Sequence, residues 1–378
     1  MKPAVGIDLS PLCWAPPSGI SYYAYHLAGE LEKLELPFLP VYFFFSHRPL
    51  ALELPAADFE RVKRFPLPMR ATKKFWDFNW GQKLLGLSGV DLFFATNSEI
   101  PALSKRQKKV MVLHDLSSLR LDGIYSGHFL KHRLGAIRRG IERADWIVVV
   151  SEATRTDLRE LFSFPEKRCK VIPEGVDLPF FSKTAPNKPY PLPYFFSNGM
   201  IQPRKNFVSL AKAFLAAAKE ADLPHHLLIA GGDGWKAEEI KKAIKSIDTD
   251  NRIQFLGYVS RVQLTALYQY AEAFLFPSLY EGFGLPVLEA MAAGAPVLTS
   301  NNSALPEVAG DAAVLVDPNR VEAIKAGILC LATDRDLNGQ LRQKGKIRTA
   351  EFSFSRTAQL TARFISDVLA TKGEICGN

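Results

Sequence analysis

The chain has 378 residues, 47% of them hydrophobic, enough to bury two cores of ordinary size. A formal charge of +8 suits an anionic partner, but no recognised nucleic-acid module is present, and no run of 18 apolar residues offers a bilayer span. Four scattered cysteines (Cys13, Cys169, Cys330, Cys376) have neither metal-ligand nor redox spacing, and Met1–Asp8 enters a strand with no leader pattern, so a reducing cytoplasm is expected.

Strand-like runs in the first half are Ala4–Leu9, Phe38–Phe45, Val90–Ala95, Val110–His114, Trp146–Val150 and Cys169–Ile172. Helical patterns fill the intervals at Ile20–Lys33, Thr72–Leu85, His128–Arg143 and Glu152–Phe162, the last capped by Ser151. This alternation predicts a parallel sheet covered by helices on both faces. Positive charge concentrates here, at Arg61, Lys63, Arg64, Arg70, Lys73 and Lys74, then Lys105–Lys109, then Lys131–Arg143. The segment 61–80 mixes its cations with Phe65, Phe75, Trp76, Phe78 and Trp80. It reads equally as a face for an anionic membrane surface, which would make the protein peripheral at the inner membrane face, or as buried aromatics under a basic helix.

Pro186, Pro189, Pro191 and Pro193 mark a stiff connector over 184–193, which separates residues 1–183 from a second alternating series. Its strands are Tyr194–Asn198, His226–Ala230, Ile253–Phe255, Ala273–Pro277, Pro296–Thr299 and Ala313–Val316. Its helices are Phe207–Ala221, Lys236–Ile247, Arg261–Ala271, Leu285–Ala293 and Val321–Ala332, with a capping box at Ser260 and Gln263. The second domain is thus expected over 194–352. Asp334–Thr349 reads as a polar stretch, and Phe354–Leu369, within the remaining segment 353–378, reads as an amphipathic helix.

The densest chemistry lies in Ser278–Glu289. Glu281 and Glu289 stand eight residues apart across the turn Gly282-Phe283-Gly284-Leu285, with Pro286 suited to the first turn of a helix. Eight residues leaves the two carboxylates about 80° apart around a helix, so a simple salt-bridge stripe is not expected. Glycines allow close backbone approach, and unpaired N–H groups at a helix start attract phosphate. A phosphate-attracting turn flanked by two acids suggests a sugar nucleotide. A second cluster, Asn198 through Asn206, sets Gly199, Arg204 and Lys205 between a strand end and a helix start, where a guanidinium fork and an ammonium can hold phosphate oxygens. In the first half, Ser18-Gly19-Ile20, His114-Asp115, Ser151-Glu152 and Glu174–Asp177 fall at the matching sheet edge. Asp248-Thr249-Asp250 and Asp334-Arg335-Asp336 follow helices and read as solvated turns, not as metal sites.

Together these motifs resemble the retaining glycosyltransferases of family 4. Matching residues are Gly199 with Pro203–Asn206, Gly257-Tyr258-Val259, Pro277–Glu289, Ala292, Gly294, Pro296-Val297, Pro306-Glu307-Val308 and Asp317-Pro318, and more loosely Gly19, His114-Asp115, Ser151-Glu152 and Pro173–Asp177. The resemblance implies an α/β chain of the GT-B fold, two doubly wound Rossmann-like domains facing each other across a cleft. It also implies that Phe354–Leu369 crosses back to the first domain.

By the same resemblance, Arg204 and Lys205 hold the donor diphosphate, helped by Gly19, Gly199 and Gly282–Leu285. Glu289 binds the ribose, Glu281 the donor sugar, and His114 the sugar from the opposite wall; Tyr258 and Val259 contact the base. The short loop Pro16-Pro17-Ser18-Gly19 is poorer in glycine than the family pattern. The expected reaction is sugar transfer from a nucleotide-sugar donor to a glycan or lipid-linked acceptor in surface polysaccharide synthesis. GDP-mannose is favoured ahead of a UDP-sugar, and neither cofactor nor metal is required. A silent sugar-nucleotide binder is the alternative. A nicotinamide dehydrogenase is excluded because neither half has the Gly-x-Gly-x-x-Gly turn.

Overall fold

The computed structural model describes residues 2–54, 61–66, 79–121, 123–125, 127–185 and 187–371. Arg70, Lys73, Lys74, Phe75, Trp76, Phe78, Pro186 and Cys376 lie outside the described residues, as does the first half of the expected helix 72–85, of which Asn79–Leu84 is helical.

Two parallel sheets organise the chain. The first contains β1 (Ala4–Asp8), β2 (Leu39–Phe45), β3 (Val62–Phe65), β4 (Leu92–Ala95), β5 (Lys108–Leu113), β6 (Trp146–Val149) and β7 (Cys169–Val171), in the order β3-β2-β1-β4-β5-β6-β7. The second contains β8 (Tyr194–Asn198), β9 (His226–Ala230), β10 (Ile253–Gly257), β11 (Phe274–Phe276), β12 (Val297–Ser300) and β13 (Val314–Val316), in the order β10-β9-β8-β11-β12-β13. Strands covered on both faces must be apolar throughout. Phe43, Phe45, Val112, Phe195, Leu228 and Leu275 are accordingly buried. Strand order reverses between β1 and β4 and again between β8 and β11, and such points open a crevice at the carboxyl ends.

The chain forms two compact units, one of residues 1–116, 127–175 and 354–378, the other of 117–126 and 176–353. Val176 begins the longer segment of the second unit, ahead of the proline-rich segment. Its N–H donates to Phe352 O at 2.9 Å, and Asp177 pairs with Arg261 at 2.8 Å. The segment 184–193 is tied down as well. Ala185 N–H donates to Gln269 Oε1 at 2.8 Å, and the Tyr190 hydroxyl accepts from Gln254 Nε2 at 2.7 Å.

Helix Phe354–Ala370 packs within the first unit. Phe354 stacks on His26 at 4.3 Å, Phe364 meets Trp146 edge-on at 5.9 Å, and Thr357 Oγ1 donates to Pro173 O at 2.9 Å.

Two of the elements that depart from the sequence reading carry charge. Residues 62–65, expected as part of a basic face, form the edge strand β3. Lys63 and Arg64 are exposed there, and charge on an edge strand discourages pairing with another chain. Residues Arg335–Thr349, expected as a polar stretch, form a helix capped by Asp334, whose carboxylate accepts from Leu337 N–H at 2.8 Å. Only Asn338, Leu341, Gly345 and Thr349 are buried on it, a stripe too narrow to stand out against its charges.

Candidate active site

At the order reversal of the second sheet, two adjacent cations, Arg204 and Lys205, meet a carboxylate distant in sequence, Glu281. After β8 the backbone turns at Gly199, whose φ of 144° is outside the range L side chains adopt readily. A Cβ there would also stand 3.0 Å from Lys205 Cε, so the glycine makes room for that side chain. A 3-10 turn, Pro203–Lys205, then carries both cations. Asn206, at φ 60°, fixes this turn by donating from Nδ2 to Pro277 O (3.1 Å) and Pro318 O (2.8 Å). Leu279 N–H donates to Arg204 O at 2.9 Å, stitching the loop after β11 to the same turn.

Glu281 bridges both cations. Its Oε2 lies 2.5 Å from Arg204 Nη1 and its Oε1 lies 2.7 Å from Lys205 Nζ. Arg204 Nη1 also donates to Tyr280 O at 2.6 Å, and Lys205 Nζ sits 4.4 Å above the Phe276 ring. Lys205 and Glu281 are each 8% exposed, so these are buried charges, not loop decorations. Burial pushes the Glu281 carboxyl up, but Arg204 and Lys205 outweigh it and hold its pKa below the ordinary value. Both cations thus converge on one carboxylate in a poorly hydrated place. Such cations attract a polyanion strongly, since screening by water is weak there.

Beside this cluster, Gly284 starts helix Leu285–Ala292 with φ 117°. A Cβ at Gly284 would come within 2.8 Å of Leu305 Cδ2, which can move aside, so it is the φ of 117° that favours glycine here. Phe283 is buried and meets Phe352 edge-on at 5.8 Å. Glu289, inside the helix, accepts from the Tyr268 hydroxyl at 3.1 Å through Oε2. Burial raises its pKa to about 7, against the lowering effects of the Tyr268 bond and Arg261. Tyr258 is 60% exposed at the carboxyl end of β10, with Val259 half-buried next to it.

Neither Asp-x-Asp triplet lies at this edge. Asp248 closes a turn ahead of β10, accepting from Arg252 N–H and Ile253 N–H at 2.9 Å each, and Asp334 caps a helix.

In the first unit, Gly19 opens helix Gly19–Leu31 behind a capping box of Ser18 and Ser21. His114 follows β5 and has both ring nitrogens engaged within its own unit, Nδ1 with Glu174 Oε1 at 2.6 Å and Nε2 with Thr96 O at 2.9 Å. Burial opposes protonation, but the Glu174 carboxylate and the Thr96 carbonyl raise the ring's pKa overall. Two acceptors around one ring call for N–H on both nitrogens, an imidazolium. A sugar hydroxyl would therefore have to displace one of these partners.

Models of two sequence families divide the chain between them. Residues 17–180 match "Glycosyltransferase Family 4" and residues 181–348 match "Glycosyl transferases group 1". The chain belongs to this glycosyltransferase family.

This glycosyltransferase is similar to O-antigen chain mannosyltransferase B of Escherichia coli, 29% identical over 68% of this chain and 69% of that relative. It is also 30% identical to the serotype-specific mannosyltransferase WbdA of Escherichia coli over 73% of this chain, a match spanning only 35% of that longer protein. Among solved structures, sucrose-phosphate synthase from Thermosynechococcus elongatus matches with a TM-score of 0.76 at 20% identity, covering 98% of this chain and 100% of that one. Anabaena HepE in complex with UDP and glucose matches with a TM-score of 0.76 at 18% identity, covering 97% and 100%. The fold is GT-B, two Rossmann-like domains, and the protein is a nucleotide-sugar-dependent glycosyltransferase.

Of the expected residues, Gly199, Arg204, Lys205, Glu281, Gly282, Phe283, Gly284, Leu285 and Glu289 belong to the second unit, and Gly19 and His114 to the first. Sequence reasoning passed over Tyr268 and Ser303. Tyr268 looks like a core aromatic on an amphipathic helix, and Ser303, whose Oγ accepts from Glu281 N–H at 3.0 Å, sits in an unremarkable loop.

Proposed function

We propose that this glycosyltransferase moves mannose from GDP-mannose, with a UDP-sugar as the second choice of donor, to a glycan or lipid-linked acceptor of surface polysaccharide, retaining the anomeric configuration. The buried cluster of Arg204, Lys205 and Glu281 carries the reading. The named activities of the Escherichia coli relatives support mannose and polysaccharide. The bound UDP in the HepE structure keeps a UDP-sugar in view.

The chemical task is departure of a nucleoside diphosphate from the anomeric carbon while negative charge grows on its phosphate oxygen. Arg204 and Lys205 are held in place before the donor arrives, so they stabilise that charge without reorganisation at the moment of reaction. The first N–H groups of helix Leu285–Ala292 add to the same field. Once the diphosphate takes over the two cations, Glu281 is released to accept from hydroxyls of the donor sugar. Glu289 accepts from the ribose, and Tyr258 and Val259 flank the base. No protein nucleophile is required if the acceptor attacks the face that the leaving group vacates.

A panel of labelled GDP- and UDP-sugars, with hydrolysis and transfer both scored, tests this reading. Turnover of GDP-mannose above the UDP-sugars supports it. Turnover confined to UDP-sugars would move the donor assignment to the second choice, and no turnover with any member would overturn it.

A further inference from the structure

We propose that Tyr268 is a positioning residue for nucleotide binding: its hydroxyl, held by Asn198, orients the Glu289 carboxylate so that the second oxygen faces the ribose hydroxyls. The inference rests on the reading of Glu289 as the ribose acceptor, and deepens it.

Tyr268 lies in helix Arg261–Gln269 and is fully buried. Three aromatic neighbours fix its ring edge-on: Phe274 at 5.0 Å, Phe196 at 5.2 Å and Phe181 at 6.2 Å between centroids. A buried phenol needs partners for its hydroxyl. Asn198 Nδ2, which can only donate, reaches it at 3.3 Å. That leaves the phenolic proton for Glu289 Oε2 at 3.1 Å, so the direction of the chain is set: Asn198 to Tyr268 to Glu289. Asn198 ends β8 immediately before Gly199, and one strand end thereby supports both the phosphate turn and the ribose acceptor.

Oε1 of Glu289 has no hydrogen-bond partner among the described residues. An ionised carboxylate with one oxygen pinned and the other open is suited to accept from the neighbouring hydroxyls of a ribose. A protonated one loses acceptor capacity. The groups facing Glu289 are Tyr268 and Arg261 from helix Arg261–Gln269, Asp177 ahead of helix Leu178–Phe181, and Lys205 from the phosphate turn. Arg261 is itself committed to Asp177 at 2.8 Å and lies 4.0 Å over the Phe180 ring. Burial favours the neutral acid, and the Tyr268 bond works against it. The hydroxyl thus both aims the carboxylate and helps keep it charged near neutral pH.

The test compares Tyr268→Phe with wild type and Glu289→Gln. Tyr268→Phe keeps the ring and its packing and removes only the O–H. Affinities for a nucleoside diphosphate and its 2′,3′-dideoxy analogue are measured by calorimetry from pH 6 to 9, and their ratio is plotted. Taking the ratio cancels titration of the phosphates, whose second pKa falls near 6. We expect Tyr268→Phe to lose about 10-fold in ribonucleotide affinity at pH 7, as fits one hydrogen bond to a charged group. The dideoxy analogue should be unaffected, and the loss should shrink toward pH 9 as Glu289 ionises without help. Asn198→Ala should give a smaller loss with the same selectivity, and it serves if the phenylalanine variant does not fold. If Glu289→Gln removes the ribose preference while Tyr268→Phe and Asn198→Ala leave it intact at every pH, the positioning role is overturned and the ribose reading stands. If Glu289→Gln leaves the preference intact, the ribose reading itself fails, and the positioning role with it.

Discussion

Replacing Glu289 by glutamine should stabilise the second unit in alkaline solution while impairing nucleotide binding. The carboxyl has an ordinary pKa of 4.5 and one of about 7 in the folded protein. A raised pKa means that the folded chain holds the proton more tightly than the unfolded one. The wild-type contribution is therefore fully present below pH 4.5, is lost as pH rises through 7, and is flat beyond. Each pH unit in that window is worth about 1.4 kcal/mol, so ionising Glu289 costs about 3 kcal/mol above pH 7. Glutamine preserves the volume and can still accept from Tyr268, but it does not ionise. The advantage of the variant should be small at pH 5 and reach about 3 kcal/mol at pH 8. Two compact units need not unfold together. The assay is therefore urea-dependent hydrogen exchange of peptides from residues 194–352, with both proteins compared at the same pH. An equal difference at pH 5 and pH 8 would mean that Glu289 titrates like an exposed glutamate, and the account of its burial would be refuted.

Three further substitutions probe the cation cluster. Lys205→Ala should lower transfer by about 100-fold or more, because one preorganised donor is worth about 3 kcal/mol; wild-type rates would remove Lys205 from the diphosphate site. Glu281→Gln should destabilise the protein by about 3 kcal/mol, since Arg204 and Lys205 lose their buried counter-charge. A nucleoside diphosphate should restore more melting temperature to this variant than to wild type, and an equal increment in both would argue against phosphate at these cations. Gly199→Ala, at φ 144° and with a Cβ 3.0 Å from Lys205 Cε, should lose about 1–3 kcal/mol of stability together with donor affinity. An unchanged denaturation midpoint would show that the turn relaxes.

Much of this architecture is legible in the chain because buried parallel strands carry their own signature. Phe195-Phe196 and Leu227–Ala230 are apolar throughout and are followed by polar or glycine residues, and they lie inside the strands Tyr194–Asn198 and His226–Ala230. The turn at Gly284 is equally legible, since glycine followed by Pro286 allows few conformations at a helix start. Elements whose burial depends on few residues are hidden. β3 carries Lys63 and Arg64 because it is an edge, and helix Arg335–Thr349 buries one residue or so per turn. At the site, residue types announce the chemistry but not the pairing. Nothing local says that Glu281 will close on cations from the loop after β8, or that a tyrosine on the buried face of an amphipathic helix will donate to Glu289. His114 teaches the same lesson, as Glu174 and Thr96 claim its nitrogens from other strand ends.

The central claim is that fixed positive charge at Arg204 and Lys205 receives the donor diphosphate, with Glu281 holding those cations until it arrives. A crystal structure of the protein with an intact sugar nucleotide tests it most directly. The account predicts phosphate oxygens within hydrogen-bond distance of the Arg204 guanidinium and Lys205 Nζ, with Glu281 turned toward sugar hydroxyls. A diphosphate bound elsewhere, with Glu281 still bridging the two cations, would contradict it.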